Sequence, residues 1–354
     1  MLLRIATFNV ENLFRRPRAL NADDPEMQKA VLRDIQRLNE LVAKKNYSDP
    51  DKEEMTEILK RNKVESPTKR PFFVNQVRGR LYNKNTLKIT AKGRDAWVGW
   101  IETDYDAIDE EAIRNTARVI DAVNADVLCL VEVENRLALD QFNREIIRPI
   151  AGSAYGQNML IDGNDPRGID VAILSRFPIN NMRSHIQDRA NGQQIFSRDC
   201  PEYEVLLPSG TSVWLLCNHF KSKIGGGGPK RRQQAERVKQ ILGENHNLQN
   251  DLVVVAGDFN DTPNSQPLSP LLQVNRLHDV LDHLPAGAPR FTFKNGPDQI
   301  DYLLVSDPLE QAINSVRIER QGIFSNNFPH FPEVTSATTS ASDHAAVVAE
   351  FNIP

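Results

Sequence analysis

The chain has 354 residues, 40% hydrophobic and 25% charged, with a net charge of −4. That is enough chain for a large buried core in one to three domains, and the acidic balance argues against a protein coated throughout with basic groups for nucleic acid. No apolar run approaches the ~20 residues that cross a bilayer, and MLLRIATFNV reads as an immediate strand rather than a secretory signal, so a cytoplasmic location is the expectation.

In chain order, LRIATFNV reads as the first strand, and EEAIRNTARVIDAVN as a helix, because Ile113, Ala117, Ile120 and Ala122 or Val123 recur near the helical period. ADVLCLVEV follows as a strand, REIIRPIA as helical, and GIDVAILS as a strand. EYEVLLP and TSVWLLCNHF read as a strand pair turning at Ser209 and Gly210. RRQQAERVKQILGENHNL is a helix, LVVVAGDF a strand, PLSPLLQVNRLHDVL a run with helical pieces, and QIDYLLVS and HAAVVAEF the last strands. Alternating strands and helices mixed with adjacent strand pairs predict two sheets carrying helices rather than one parallel sheet. A single domain over 1–354 is expected, interrupted at about 15–105 by an insert. Within the insert, 26–63 should form one or two charged helices, and VRGRLYNKNTLKIT a hairpin turning near Asn83 to Asn85. GGGG at 225–228 is a flexible stretch without the Walker pattern, which argues against a nucleotide P-loop. Cys129 and Cys217 lie in apolar strands and Cys200 beside Pro201, with no CxxC spacing, so packed thiols are expected.

Chemistry concentrates at strand ends. VVVAGDFNDTP finishes a buried run with Asp258, Asn260 and Asp261, and taken alone this is an ordinary turn. But ATFNVEN delivers Asn9 and Glu11 in the same way, CLVEVEN delivers Glu132 and Glu134, and CNHFKSK delivers His219, Lys221 and Lys223. QIDYLLV opens on Asp301, and SDHAAVV on Asp343 and His344. Each residue singly has a structural reading, since Asn9 could bond a loop and Glu132 could face solvent by alternation. A charged group at a buried strand end is nevertheless costly unless paired or coordinated, and turns seldom supply so many.

The set TFNVEN, LVEVEN, RGIDVAILSR, NHFKSK, GDFND, IDYLLVS and SDH resembles the endonuclease/exonuclease/phosphatase superfamily over residues 1–14 and from about 105 to the end. The resemblance implies an α/β four-layer sandwich with two central mixed β-sheets flanked by helices, hydrolysis of phosphate esters, and a divalent metal, Mg²⁺ with Mn²⁺ as a substitute. It implies Glu132 as the main metal carboxylate, with Asn9, Glu11 and Asp343 completing the metal region. Asp258 and Asn260 would handle the attacking water and the phosphate, and His344, oriented by Asp301, would contact a phosphate oxygen. His219 matches an additional histidine of the deoxyribonuclease branch, with Asp170 as its expected acidic partner, although Asp170 could instead pair with Arg167.

The chemistry is coherent without the resemblance. A hard cation held by oxygen ligands neutralises the charge that makes phosphodiesters resist attack, and a buried carboxylate can orient or deprotonate water. Arg167, Lys221 and Lys223 are the groups expected to bind substrate phosphates, and TKRPFF and the PKRR loop could add contacts to a polyanionic backbone. The leading reading is a Mg²⁺-dependent nucleic-acid endonuclease. The alternatives are a phosphomonoesterase or lipid phosphodiesterase of the same superfamily, and a noncatalytic binding protein on the same scaffold. No contiguous aromatic protrusion suggests entry into a membrane.

Overall fold

The computed structural model describes residues 1–20, 25–165, 167–223, 226–294, 296 and 298–353; Gly225, first of the expected flexible glycines, lies outside them. The chain divides into two compact units, one of Met1–Phe14 with Ile108–Pro354 and the other of Arg15–Ala107.

The first unit holds two six-stranded sheets. One has the order Ile313–Glu319, Ala346–Asn352, Leu2–Asn9, Val127–Val133, Asp170–Ser175, Gln157–Leu160. The other has the order Leu277–Asp279, Asp301–Ser306, Leu252–Asp258, Ser212–His219, Glu202–Leu206, Ile179–Arg183. The two layouts are the same: each sheet has one parallel pair at its centre, Leu2–Asn9 with Val127–Val133 and Ser212–His219 with Leu252–Asp258, and antiparallel neighbours on both sides.

A parallel pair needs a crossover, and an amphipathic helix supplies it. In the first sheet this is Glu110–Val123, capped by the Asp109 side chain on the Glu111 N–H (2.9 Å) and ended by Asn124 in the left-handed region. Its Ala117, Ile120 and Val123 pack with Ala6, Phe8, Leu128 and Leu130 on the sheet's outer face. In the second sheet Gly228–Asn245 lays Ala235, Val238, Ile241 and Leu242 on Leu216, Val253, Val255 and Leu304. The inner faces meet through Leu3, Ile5, Val127 and Cys129 from one sheet and Leu215, Cys217, Val254 and Leu303 from the other. Strand alternation thus feeds two cores from each sheet, which gives the four layers. All three cysteines are buried and free. Among the described residues no helix is long and apolar enough to cross a membrane.

The insert has a core of its own. Helices Pro25–Val42 and Asp49–Arg61 bury Leu38, Leu41, Met55, Ile58 and Leu59 with Phe72, Val74, Leu81 and Trp97. The second helix starts with a capping box in which Ser48 and Asp51 satisfy each other's backbone N–H groups. The expected hairpin over VRGRLYNKNTLKIT reduces to one bridge, Tyr82 with Ile89, around a turn at Asn83. Its first residues join a longer pairing, Phe72–Arg78 with Val98–Thr103. Gly79 (φ 70°) turns the chain, and Leu81 and Leu87 drop into the insert core instead of alternating along a strand.

Gly257 explains the glycine inside VVVAGD. Its φ is 134°, and a Cβ there would lie 1.9 Å from the Asn218 carbonyl oxygen on the parallel neighbour. Gly257→Ala should therefore destabilise the protein by roughly 2–4 kcal/mol, read from urea denaturation, whereas Gly210→Ala, at an open turn where nothing lies within 4 Å, should cost markedly less.

Candidate active site

The carboxyl ends of the two parallel pairs carry Asn9 and Glu132 on one sheet and His219 and Asp258 on the other. The backbone is bent to present them. Glu132 sits at φ 65° where the pairing with Asp170–Ser175 slips a register, so a bulge breaks the alternation that would have turned its side chain to an ordinary strand face. Glu11 (φ 50°), Asn12 (φ 69°) and Asn260 (φ 54°) are left-handed as well. Such conformations in residues other than glycine are unfavourable unless their surroundings fix them. Here the side chains do so: Glu134 accepts from Leu13 N (3.0 Å) and Phe14 N (2.7 Å), and Asp258 accepts from Asn260 N (2.7 Å).

One network joins most of the expected residues. Asn9 Nδ2 donates to Asp258 Oδ2 (3.2 Å) and lies 3.4 Å from His344 Nε2. His344 Nδ1 lies 2.9 Å from Asp301 Oδ2, and a carboxylate can only accept there. Asn260 Nδ2 donates to Asp258 Oδ2 (3.1 Å) and to the Phe220 carbonyl (3.2 Å). His219 Nε2 stands between the sheets, 3.6 Å from Glu132 Oε1 and 3.7 Å from Asp258 Oδ2. Glu11 accepts from the Asp343 N–H (3.1 Å), and Asp343 Oδ1 lies 3.7 Å from His344 Nε2. Ser342, which donates to the Asn9 carbonyl and accepts from the His344 N–H, ties the SDH turn to the first strand.

Burial sets the electrostatics. It pushes Asp258 up from the ordinary carboxyl value, a rise moderated by His344. Burial would lower His344, but the adjoining Asp301, with Asp343 and Asp258 beyond, outweighs it and holds the imidazole well above its ordinary value. His219 goes the other way: burial lowers it, and the guanidinium groups of Arg198 and Arg167 lower it further. The two histidines therefore occupy opposite protonation regimes within one site.

The pair expected between His219 and Asp170 is not formed. Asp170 accepts from the Gly163 N–H (2.9 Å), burial raises its pKa to about 7, and His219 Nδ1 has no hydrogen-bond partner among the described residues. Arg167 pairs with Asp165 (2.6 Å) rather than Asp170. Lys221 is partly buried beside Arg167 and Arg198, which with burial lower its pKa. Lys223 is half exposed and 3.3 Å from Asp261. PKRR is committed internally: Arg231 to Asp261 (2.9 Å), Arg232 to Glu236 (3.0 Å), and Lys230 to the Gln194 carbonyl. Asp261, third polar residue of GDFND, is thus a brace.

Sequence reasoning missed Arg198, whose side chain is 1% exposed and 3.1 Å from Asp165 Oδ2, because its partner lies more than thirty residues upstream with no motif around either. It also missed the stack of Phe220, Phe259 and Tyr302, with centroids 4.8 and 4.7 Å apart, that backs the GDFND turn, and the Thr292 hydroxyl, which accepts from the Ile300 and Asp301 N–H groups.

Asp258, Asp301 and His344 offer ligand-type atoms within 4.8 Å of one another, a spacing that fits a divalent cation only when the imidazole is neutral. Asp301 Oδ1 and His219 Nδ1 are buried without partners, so the described residues do not by themselves satisfy this polar centre. A hard cation and its water suit a donor set of carboxylates, an amide and no thiol.

Asp165 is buried and paired with two guanidinium groups, Arg167 (2.6 Å) and Arg198 (3.1 Å). Burial would raise its pKa, but the two cations outweigh it and hold Asp165 well below the usual carboxyl range. Its contribution to stability is therefore intact above about pH 4 and is lost as acid titrates through the depressed value. Asp165→Asn should cost about 3–5 kcal/mol at neutral pH, seen as a lower urea midpoint, and should flatten the acid limb of stability against pH.

The chain matches the model of the Endonuclease/Exonuclease/phosphatase family over residues 104–344. No curated protein matches it. Among solved structures it is similar to the human Nocturnin catalytic domain with bound sulfate anion (TM-score 0.50, 18% identity, covering 70% of this chain and 89% of that one). It is also similar to an endonuclease/exonuclease/phosphatase from Bacteroides vulgatus (TM-score 0.50, 16%, 68% and 91%) and to truncated TDP2 from Caenorhabditis elegans (TM-score 0.47, 20%, 68% and 91%). At these identities the structural likeness is one of fold. A family match over more than half of the chain, on two helix-flanked mixed sheets whose parallel pairs end in a carboxylate, amide and histidine cluster, places the protein in the endonuclease/exonuclease/phosphatase family of metal-dependent phosphohydrolases.

Proposed function

We propose that this protein is a divalent-metal-dependent phosphodiesterase acting on nucleic acid, with Mg²⁺ as the ion and Mn²⁺ as a substitute. The observation that carries the reading is the convergence of Glu132, Asn9, Asp258, Asn260 and the His344–Asp301 pair on one edge of the sandwich, with Arg167, Arg198 and Lys221 beside His219.

Glu132 and Asn9, with Glu11 and Asp343 near them, are the residues assigned to hold the ion, because His344 Nδ1 is already engaged by Asp301 and its protonated ring has no lone pair there to give. When bound, the ion supplies neutralisation of charge on the phosphoryl oxygens. Asp258 is the general base: its raised pKa brings it toward the range in which a carboxylate accepts a proton from water at neutral pH. Asn260 holds Asp258 through backbone and side-chain N–H groups, and it reaches a phosphate by turning over the amide hydrogen now donated to the Phe220 carbonyl. His344, kept protonated by Asp301, donates to a phosphate oxygen, and Asn9 spaces it from Asp258. His219 stays neutral, its Nε2 facing the oxygens of Glu132 and Asp258 at 3.6 and 3.7 Å.

Incubating the purified protein with plasmid DNA, single-stranded DNA, RNA, inositol phosphates and sphingomyelin, in Mg²⁺, Mn²⁺ or EDTA, tests the substrate class. Metal-dependent cleavage of a polynucleotide is expected; turnover confined to monoesters or lipid would replace the reading. Asp258→Asn and His344→Ala should each lower kcat/KM by roughly 10²–10⁴-fold with circular dichroism unchanged. Glu132→Gln should raise the Mg²⁺ concentration needed for half-maximal activity, and wild-type metal dependence in that variant would remove Glu132 from the ion site.

A further inference from the structure

The insert is electrically unlike the rest of the chain. Between residues 63 and 101 the sequence holds nine Lys or Arg and two acidic residues, Glu65 and Asp95, although the whole chain carries −4. This basic run folds around the strand pair Phe72–Arg78 and Val98–Thr103. One face of the pair, with Phe72, Val74 and Ile101, is buried in the insert core. On the other, Phe73 stands opposite Glu102 and Asn75 opposite Trp100. Trp100 is 51% exposed and Val77 61%, so this face presents aromatic and aliphatic surface that the insert does not cover.

That surface is organised. Glu102 Oε2 accepts from Trp100 Nε1 (3.1 Å) and Asn75 Nδ2 (3.2 Å), which fixes the indole by its edge and leaves its ring open. The Arg70 guanidinium lies 4.6 Å from the centroid of Phe73, itself anchored by Asp104 (2.7 Å). Next to these a groove of about 580 Å³ is lined by Arg70, Phe73, Asn75, Arg80, Tyr82 and Lys84 among others, with Glu65 the one acidic group in its wall. The exposed side chains of Arg78, Arg80 and Lys84 form no ion pair or hydrogen bond among the described residues, whereas the PKRR basic groups are consumed internally.

We infer that this face of the insert is a binding surface for single-stranded nucleic acid, on which a base stacks against Trp100 beside the Arg70–Phe73 pair while Arg80 and Lys84 take the phosphates. An open indole beside a capped phenyl ring and unpaired cations fits a ligand that alternates flat bases with negative charge, and every base has a face to stack. A second copy of the chain is disfavoured, because the same concentration of positive charge would face itself. The inference leans on the phosphodiesterase reading only in making the ligand a nucleic acid; the surface itself needs no hydrolysis to act.

The test uses the full chain in EDTA, where cleavage is stopped, with a fluorescein-labelled oligo-dT of about twenty nucleotides followed by anisotropy across a salt series. Wild type should bind with Kd rising steeply with salt. Arg80→Gln with Lys84→Gln should reduce the slope of log Kd against log salt by about 1–1.5. Trp100→Ala should weaken binding roughly tenfold, with recovery in Trp100→Phe. Lys239→Gln with Arg144→Gln, the same charge removed outside the insert, should change little. Thermal melts check that each variant is folded.

Unchanged affinity and slope in the folded Arg80/Lys84 variant, equal competition by duplex DNA, or stronger capture by phosphatidylserine vesicles than by the oligonucleotide would each overturn the inference. Hydrolysis of bis(p-nitrophenyl) phosphate separates the two claims. Turnover with no insert-dependent binding sinks the surface alone, and insert-dependent binding without turnover of any phosphodiester sinks the catalytic reading alone.

Discussion

Asp258 and Asp301 are direct cross-strand partners, both essentially buried, and two like charges in that relation repel at close range. The arrangement survives because His344 comes from the turn that precedes the last strand, Ala346–Asn352, and puts a cation between them, within 2.9 Å of Asp301 and one Asn9 amide away from Asp258. Much else follows from holding that imidazole in place. Ser342 pins the turn before it, the Phe293 ring packs 4.9 Å from its own, and Lys294 N donates to the Asp343 carbonyl. A buried pair whose members are worth little apart is weak support for stability and strong support for geometry.

The duplicated sheet layout supplies the other half of the constraint. Each sheet brings one parallel pair to the same edge, so Asn9 and His219 occupy matching places, as do Glu132 and Asp258, and Asp170 and Asp301. The equivalence is geometric and not chemical. Asp301 meets an imidazole, whereas Asp170 meets a backbone N–H, and only the second sheet follows its carboxylate with an asparagine that closes back on it. A symmetrical frame thus carries an asymmetrical centre, which is what a reaction with distinct attacking and leaving sides requires.

Strand ends were readable from the chain because apolar runs that stop on carboxylates are conspicuous, and GDFND, LVEVEN and SDH announce themselves by composition. Which group faces which was not readable, since it depends on register between distant strands. Asp170 shows the limit: its place at a strand start was legible, but Gly163, whose missing side chain lets a backbone N–H reach it, competes for it locally. Arg198 was invisible because its effect on His219 is felt through space. The bulge that turns Glu132 inward cannot be seen in a sequence whose alternation continues unbroken through it. In the insert, helix periodicity survived its heavy charge, whereas the strand pairing Phe72–Arg78 with Val98–Thr103 spans a separation no local pattern encodes.

At the point where the insert leaves and re-enters the sandwich, Ile108 N donates to Phe14 O (3.0 Å), and the next residues continue as a short antiparallel pair, Arg15–Pro17 with Tyr105–Ala107. The two ends of the catalytic unit at that break therefore already touch. A lineage could gain or shed the intervening segment without rethreading a strand, and the segment, with an independent core, would evolve at its own pace. In that light the insert is a self-contained module hung on a chain break that the sandwich closes without it.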